Sequence, residues 1–267
     1  MSSIHQTAII EAGAEIEEGV EIGPYCVVGA RVRLSRGSKL HSHVVLGGDT
    51  LIGENSEIYP YASVGLAPQD RKYRGEASRL EIGRDCVIRE HVTINPGTEA
   101  GGLLTRIGNS CLLLAGAHVA HDCVLGDHVT MVNSAMVAGH CRVADHVILG
   151  GLSAVHQYVR IGESAFVGGM TAVENDIIPF GSAIGNRAHL GGLNIIGLTR
   201  RGFSRDEIHA LRRAYRMLFA PEETLQERIA AVDAAFPNEA RVQQMVEFLR
   251  SGGDRAITKP RSRTAPD

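Results

Sequence analysis

Tryptophan is absent from this chain of 267 residues, and aromatic side chains make up only 4% of it. A core without large rings must be narrow and filled by aliphatic and small residues. No apolar run approaches the roughly 20 residues of a membrane span, and no apolar leader opens the sequence. A cytoplasmic protein with no membrane insertion is therefore expected. An excess of one charge is also missing: the formal net charge is −3, which gives no basic footprint and no reason to expect nucleic acid as a partner. Cysteines are few and odd in number (Cys26, Cys86, Cys111, Cys123 and Cys141), and none forms a Cys-x-x-Cys pair. That usage argues for reduced structural thiols. Cys123 and Cys141 are 18 residues apart and should stack. Stacked neighbouring strands rarely offer disulfide geometry, so no bond is expected.

What the sequence does have is a period of six. Stepping by six from Ile107 reaches Leu113, Val119, Leu125, Met131, Val137 and so on to Val173, all of them aliphatic. Four residues after each comes a mostly small residue, such as Cys111, Ala117, Cys123 and Ala135. The same register runs from Ile10 to Val64 and returns at Ile82, Ile88 and Ile94. A helical period of 3.6 does not hold such a register, whereas a short extended wall with a turn every six residues does. Repeats of this kind stack as a parallel β-helix and bury a continuous core. Glycine and asparagine are expected at the corners, where the backbone needs unusual dihedrals.

The pattern resembles the hexapeptide-repeat acyltransferase superfamily. That resemblance implies a left-handed parallel β-helix with three six-residue walls and 18 residues per coil. The ordinary crossover rule would give the opposite hand. The organisation expected is a left-handed β-helix domain over 1–190, with loops at 65–81 and 95–106, a C-terminal α-helical domain over 191–253, and a disordered tail over 254–267. Val64 and Ile82 are 18 apart, which reads as one full coil with the loop returning in phase. Ile94 and Ile107 are 13 apart, so the second loop re-enters one residue out of phase, and its glycines suggest flexibility. In the helical part, Ser204 and Glu207 form a capping box before Leu211, Tyr215 and Leu218. A second helix after Pro221 carries Leu225, Ile229, Val232 and Phe236, and a third from about Asn238 carries Val242, Met245 and Leu249.

Histidines cluster in the long run. Subtracting 18 from His140 and twice 18 from His156 gives 122 and 120, which bracket His121. These three should share one edge in successive coils, with a coil step of about 4.8 Å. Gly139 falls one coil above His121, and Gln157 one coil above that. Exposed turn histidines would produce a similar list. The alignment of three beside Asp122 favours a site, because a neighbouring carboxylate can fix the tautomer of a basic histidine. Gly139 would leave its N–H approachable, as an oxyanion site requires. The charged excursion from Gly65 to Gly75 reads either as a solvated loop or as a functional one on a rigid scaffold.

Three segments narrow the resemblance: His118-Val119-Ala120-His121-Asp122-Cys123, Ala138-Gly139-His140 and Ala154-Val155-His156-Gln157. With Pro68-Gln69-Asp70-Arg71-Lys72-Tyr73, Gly192-Leu193-Asn194 and Leu198-Thr199-Arg200-Arg201-Gly202-Phe203-Ser204, they are similar to motifs of the UDP-N-acetylglucosamine O-acyltransferase family, which opens lipid A synthesis. The resemblance implies transfer of a 3-hydroxyacyl chain from acyl carrier protein to the glucosamine 3-hydroxyl of UDP-N-acetylglucosamine, by a homotrimer that needs no cofactor and no metal. It makes His121 the general base, Asp122 its orienting partner and Gly139 the oxyanion donor. His118, His140, His156 and Gln157 would line the site, Gln69, Asp70 and Lys72 would hold the sugar, and Asn194, Arg200 and Arg201 would bind the uridine diphosphate part. Phe166, Gly169 and Met170 would form the acyl-chain groove. The chain departs from the family at Asn95-Pro96-Gly97-Thr98, where His-Arg commonly precedes Gly-Thr.

Other readings share the scaffold. The later N-acyltransferase of the same pathway carries an added N-terminal domain, for which coils beginning near residue 10 leave no room. A zinc hydratase of the carbonic anhydrase type would use three histidines, for which His118, His121 and His140 are the candidates. A non-catalytic trimeric scaffold would leave the polar edge and paired arginines without a purpose.

Overall fold

Each hexapeptide contributes a two-residue strand and a turn, so the chain winds as a prism whose strands hydrogen-bond to the coils above and below. The computed structural model describes residues 2–261. Among them the strands form three sheets of 11, 9 and 8 strands, parallel except for the last strand of the first, here called the first, second and third walls. The aliphatic residue of each repeat points inward. Leu40, Ile58, Ile88, Leu113, Met131, Leu149 and Val167 make one column behind the first wall, each at most 1% exposed. Burying each such side chain stabilises by about 1.5–3 kcal/mol, against the entropy of ordering it. All five cysteines are buried and free, as the composition suggested.

The corners differ from expectation. Most carry a left-handed residue that is neither glycine nor asparagine, including Tyr61 (φ 63°), Asp122 (φ 61°), His140 (φ 63°) and Leu152 (φ 58°). Such a conformation costs about 1–2 kcal/mol for an ordinary residue. At most of these corners the amide of the left-handed residue donates to a carbonyl of the preceding coil, as from His140 to His121 (3.0 Å) and from Tyr158 to Gly139 (3.2 Å), whereas that of Asp122 donates to the Thr105 hydroxyl. Stacking therefore supplies what glycine was expected to supply.

Pairing also corrects the coil count. Val64 lies beside Ile94, and Ile52 beside Ile82. The interval from Val64 to Ile82 is thus one step between walls plus a long insertion, not a full coil. Ile107 lies beside Ile82, so the second break is likewise a single step, enlarged by seven residues. Both insertions leave the same corner, between the second and third walls. In the second, Asn95, Pro96, Gly97 and Thr98 are all buried, whereas residues 99–103 are exposed.

The prism ends in an antiparallel hairpin, Gly181–Ile184 with His189–Leu193, which straddles the boundary expected at 190. Among the described residues four helices follow: α1 (Ile195–Arg200), α2 (Arg205–Leu218), α3 (Leu225–Ala235) and α4 (Ala240–Arg250). The Ser204–Glu207 capping box opens α2 as expected. A second capping box, Thr224 with Glu227, opens α3, which the sequence reading began too early at Pro221. Helix α1 was not expected at all. Among the described residues no helix is long and apolar enough to cross a membrane.

The tail is corrected in part. Residues 256–260 lie along the end of the prism, with Asp176 and Leu190 donating to the Ala256 and Lys259 carbonyls (2.8 and 2.9 Å) and Thr258 2% exposed. Residues 262–267 lie outside the described residues.

Candidate active site

His121 and Asp122 turn the corner between the second and third walls, one coil below Gly139 and His140 and two below Gln157 and Tyr158. The edge foreseen from the period of 18 is therefore real. His121 Nδ1 lies 2.7 Å from Asp122 Oδ2, and the two residues are each only 7% exposed. Burial opposes the charge on Asp122, but hydrogen bonds from His121 and from the side chain and backbone of Thr98 outweigh it and hold the carboxyl below its ordinary range. A carboxylate can only accept, so the proton sits on His121 Nδ1 and leaves Nε2 with a free lone pair. A Cβ added to Gly139 would lie 2.6 Å from His121 Cε1, so only glycine lets the next coil approach the imidazole face. Among the described residues the Gly139 N–H has no hydrogen-bond acceptor.

His140 meets His121 edge to face at 5.0 Å and stacks on Tyr158 at 4.5 Å. Burial lowers the pKa of His140, against the pull of the Asp122 charge, and the charges of Asp70 and Lys72 in the first insertion also act on it. That insertion therefore lies near enough to act electrostatically on His140, and Asp70 Oδ1 folds it locally by accepting the Lys72 N–H at 3.0 Å. Gln69 is exposed in the same segment. His118 faces outward from the second wall with Nδ1 2.7 Å from Thr93 Oγ1. Burial, and then its neighbour His121, lowers its pKa. His156 is exposed, and its Nδ1 accepts from Arg255 Nη2 at 2.7 Å, while Arg255 Nε donates to the Gln157 carbonyl at 2.9 Å.

Other expected residues lie elsewhere. Asn194 caps α1, accepting from Gly197 N at 3.1 Å and donating to the Ser164 carbonyl at 3.0 Å. Arg201 bonds the Ser164 hydroxyl and pairs with Glu163 at 3.5 Å. Arg200 is exposed at the end of α1. These three stand by the corner between the third and first walls, a different edge from His121. The groove residues also separate. Phe166 projects outward from the first wall, because Val167 takes the inward place of that strand, whereas Gly169 and the 74%-exposed Met170 form the next corner. Phe166 therefore does not share a surface with the second wall, whose outward Met136, Ala154 and Ala172 lie between Gly139 and Gly169.

His121, Asp122 and His140 bring one ligand atom each within 4.8 Å, but the set is built on the His121–Asp122 hydrogen bond, with His140 Nδ1 3.7 Å from Asp122 Oδ2, and not as a zinc cage. Two ligands of a tetrahedral zinc at about 2.1 Å would stand about 3.4 Å apart. The 2.7 Å between His121 and Asp122 is a hydrogen bond, and His118 turns its Nδ1 to Thr93.

Thr93, Thr98, Thr105, Tyr158 and Arg255 were missed. Thr93 pairs with His118 across the wall, which the correct length of the second break would have revealed. Thr105 Oγ1 accepts the Asp122 N–H at 2.7 Å from the strand that re-enters the prism. Arg255 was hidden in a tail whose composition suggested disorder.

A three-walled prism of hexapeptide coils, with a buried His–Asp pair on one corner and a helical C-terminal region, defines an acyltransferase of the left-handed β-helix class. Residues 104–139 match the model of bacterial transferase hexapeptide (six repeats), and residues 176–258 that of Udp N-acetylglucosamine O-acyltransferase, domain 2. The chain belongs to the acyl-[acyl-carrier-protein]--UDP-N-acetylglucosamine O-acyltransferase family. It is 49% identical to the member from Azorhizobium caulinodans over 96% of this chain and 95% of that one. It is 46% identical to the member from Caulobacter vibrioides over 97% of this chain and 98% of that one. The solved structure of LpxA from Acinetobacter baumannii superposes with a TM-score of 0.93 at 42% identity, covering 96% of this chain and 99% of that one.

Proposed function

We propose that the protein transfers a 3-hydroxyacyl chain from acyl carrier protein to the glucosamine 3-hydroxyl of UDP-N-acetylglucosamine, the first step of lipid A biosynthesis, with His121 as general base. The observation that carries this reading is the buried His121–Asp122 bond of 2.7 Å, which leaves Nε2 as the proton acceptor. Nε2 takes the hydroxyl proton as the sugar oxygen attacks the thioester carbonyl. The Gly139 N–H stabilises the tetrahedral oxyanion, and its collapse expels the carrier thiolate, which recovers the proton from His121. The base contributes about 10²–10⁴ in rate and the oxyanion donor about 10²–10³.

Gln69, Asp70 and Lys72 hold the sugar from the first insertion, with His118, His140, His156 and Gln157 around the acceptor and thioester. The acyl chain crosses the second wall over Ala154 and Ala172 towards Gly169. Asn194, Arg200 and Arg201 bind the uridine diphosphate part. Because they stand on another edge, a neighbouring subunit must present them, and a homotrimer with sites between subunits meets that need. The protein acts in the cytoplasm, where its five free thiols stay reduced.

The test is acyl transfer by His121→Ala, assayed with 3-hydroxyacyl carrier protein and UDP-N-acetylglucosamine. Loss of turnover with unchanged assembly and a modest drop in melting temperature is expected; near-normal turnover contradicts the reading. Co-expression of His121→Ala with Arg200→Ala subunits should restore part of the activity, and no restoration contradicts shared sites.

A further inference from the structure

The second insertion, between the Thr93–Ile94 and Leu104–Ile107 strands, reaches the buried carboxylate of Asp122 from the side opposite the coil above. Thr98, only 3% exposed, donates its N–H to Asp122 Oδ1 at 2.7 Å and its hydroxyl to Asp122 Oδ2 at 2.6 Å. Thr98 also precedes a short 3-10 turn, Glu99–Gly101, where a threonine hydroxyl ordinarily caps the turn's own amides. It makes no such bond here, and the hydroxyl is turned to Asp122 instead. Gly101 closes the other side, because a Cβ there would overlap the Asp122 carboxyl carbon. The insertion is itself anchored: Gly97 N donates to the Arg79 carbonyl at 3.2 Å, and Leu103 N to the Thr98 carbonyl at 2.8 Å.

The same segment also ties down the first insertion. Asn95 Nδ2 donates to the Leu66 and Ala67 carbonyls at 3.2 and 3.4 Å, and Glu99 N donates to Glu76 Oε1 at 3.3 Å. One loop thus touches both ends of the excursion that carries Asp70 and Lys72, and both oxygens of the carboxylate that holds His121.

We propose that Thr98 is a positioning residue for the reaction, clamping both oxygens of Asp122 so that the carboxylate cannot turn and His121 keeps Nδ1–H bound and Nε2 free. The proposal rests on His121 being the base. With Oδ1 taken by the Thr98 amide and Oδ2 shared by His121 and the Thr98 hydroxyl, rotation about Cβ–Cγ would break all three bonds. Without the hydroxyl, Oδ2 has His121 as its only close donor, and the ring and the carboxylate can shift together away from the acceptor hydroxyl. A misplacement of about 1 Å lowers rate far more than affinity.

Thr98→Val keeps the shape and the backbone amide and deletes the hydroxyl. It should lower kcat by about 10- to 100-fold, with KM for UDP-N-acetylglucosamine nearly unchanged, while Thr98→Ser restores kcat. In ¹³C NMR titration the Asp122 carboxyl of Thr98→Val should titrate at higher pH than in the wild type. Gly101→Ala, which crowds the carboxylate without removing a donor, should lower kcat in the same way. Wild-type kcat in Thr98→Val, a loss confined to KM, or failure of serine to rescue would overturn the assignment. His121→Ala measured alongside separates the two ideas. If it is inactive while Thr98→Val is fully active, only the clamp falls. If it keeps near-normal turnover, the base reading falls, and the carboxyl titration still reports whether Thr98 holds Asp122.

Discussion

Two corners of the prism carry polar columns built from the same repeat, and they do different work. Between the third and first walls, Asp127 accepts the Asn109 N–H at 2.6 Å and Asp145 accepts the Asp127 N–H at 2.8 Å. His128 and His146 stack there at 4.7 Å, with ring planes almost parallel at 4°. Those carboxylates satisfy backbone amides near solvent and hold no imidazole. Between the second and third walls, Asp122 takes the left-handed place that His128 and His146 hold on the other edge, but it is buried and bonds a histidine. The repeat alone does not account for the difference. Both insertions leave the prism at the second corner, and the Asn95–Leu103 segment covers it. A hydrogen-bonded His–Asp pair gains strength where water is excluded, and covering one corner achieves this without altering the coil.

The sharpest way to break this contrast is to remove matched histidines. His121→Ala should lose about 10²–10⁴ in turnover, whereas His128→Ala and His146→Ala should keep turnover close to wild type and lose at most some stability. Exhaustive chelation should leave the wild-type rate unchanged. Gly139→Ala comes next. Its methyl meets the His121 ring, so a loss of about 10²–10³ in kcat is expected, measured beside Gly151→Ala, where nothing lies closer than 3.4 Å. Arg255→Ala should have a smaller effect, lowering turnover several-fold by releasing His156 Nδ1, and steady-state kinetics would detect it.

Chain length probes the surface between the corners. Gly169 has an ordinary negative-φ backbone, and an added Cβ would meet only the Gly151 carbonyl, at 3.3 Å. A side chain fits there, so Gly169→Met should fold normally and shift preference towards shorter donors. The wild type should prefer a 3-hydroxyacyl donor longer than ten carbons. A series of carrier-protein thioesters checks both, and an unchanged preference in the variant removes Gly169 as the limit of the groove.

The smallest effect is on stability against pH. His118 and His140 have pKa values depressed in the folded protein, mainly by burial. Their contribution is fully present above the unfolded value of about 6.5 and is lost as pH falls through the folded values. The melting temperature should therefore drop on acidification below neutrality, and His118→Gln/His140→Gln should flatten that drop. The depressed carboxyl of Asp122 adds a second loss further into acid, below the unfolded value of about 3.9.

The period of six was sufficient to place the walls, the inward aliphatics and the edge shared by His121, Gly139, His140 and His156, because stacking makes geometry a matter of counting. Counting failed where the chain leaves the prism. The interval from Val64 to Ile82 equals a coil length by coincidence, and only the pairing of Val64 with Ile94 reveals the insertion. Thr98 was illegible for the same reason: nothing in Asn-Pro-Gly-Thr signals that the loop folds back 24 residues away onto Asp122. The tail misled through composition, since its lysine, arginines and proline suggest disorder, yet Thr258 is buried and Arg255 reaches His156. Corner glycines were over-weighted, because hydrogen bonds between coils support left-handed backbone in ordinary residues.

The most direct test of the account is the tautomer of the His121 ring, read from ¹⁵N NMR shifts of the imidazole at alkaline pH. A protonated, pyrrole-like Nδ1 bonded to Asp122 and a bare, pyridine-like Nε2 are expected, and the pattern should be lost in Asp122→Ala. A proton on Nε2 in the wild type would leave no acceptor for the sugar hydroxyl and would contradict it.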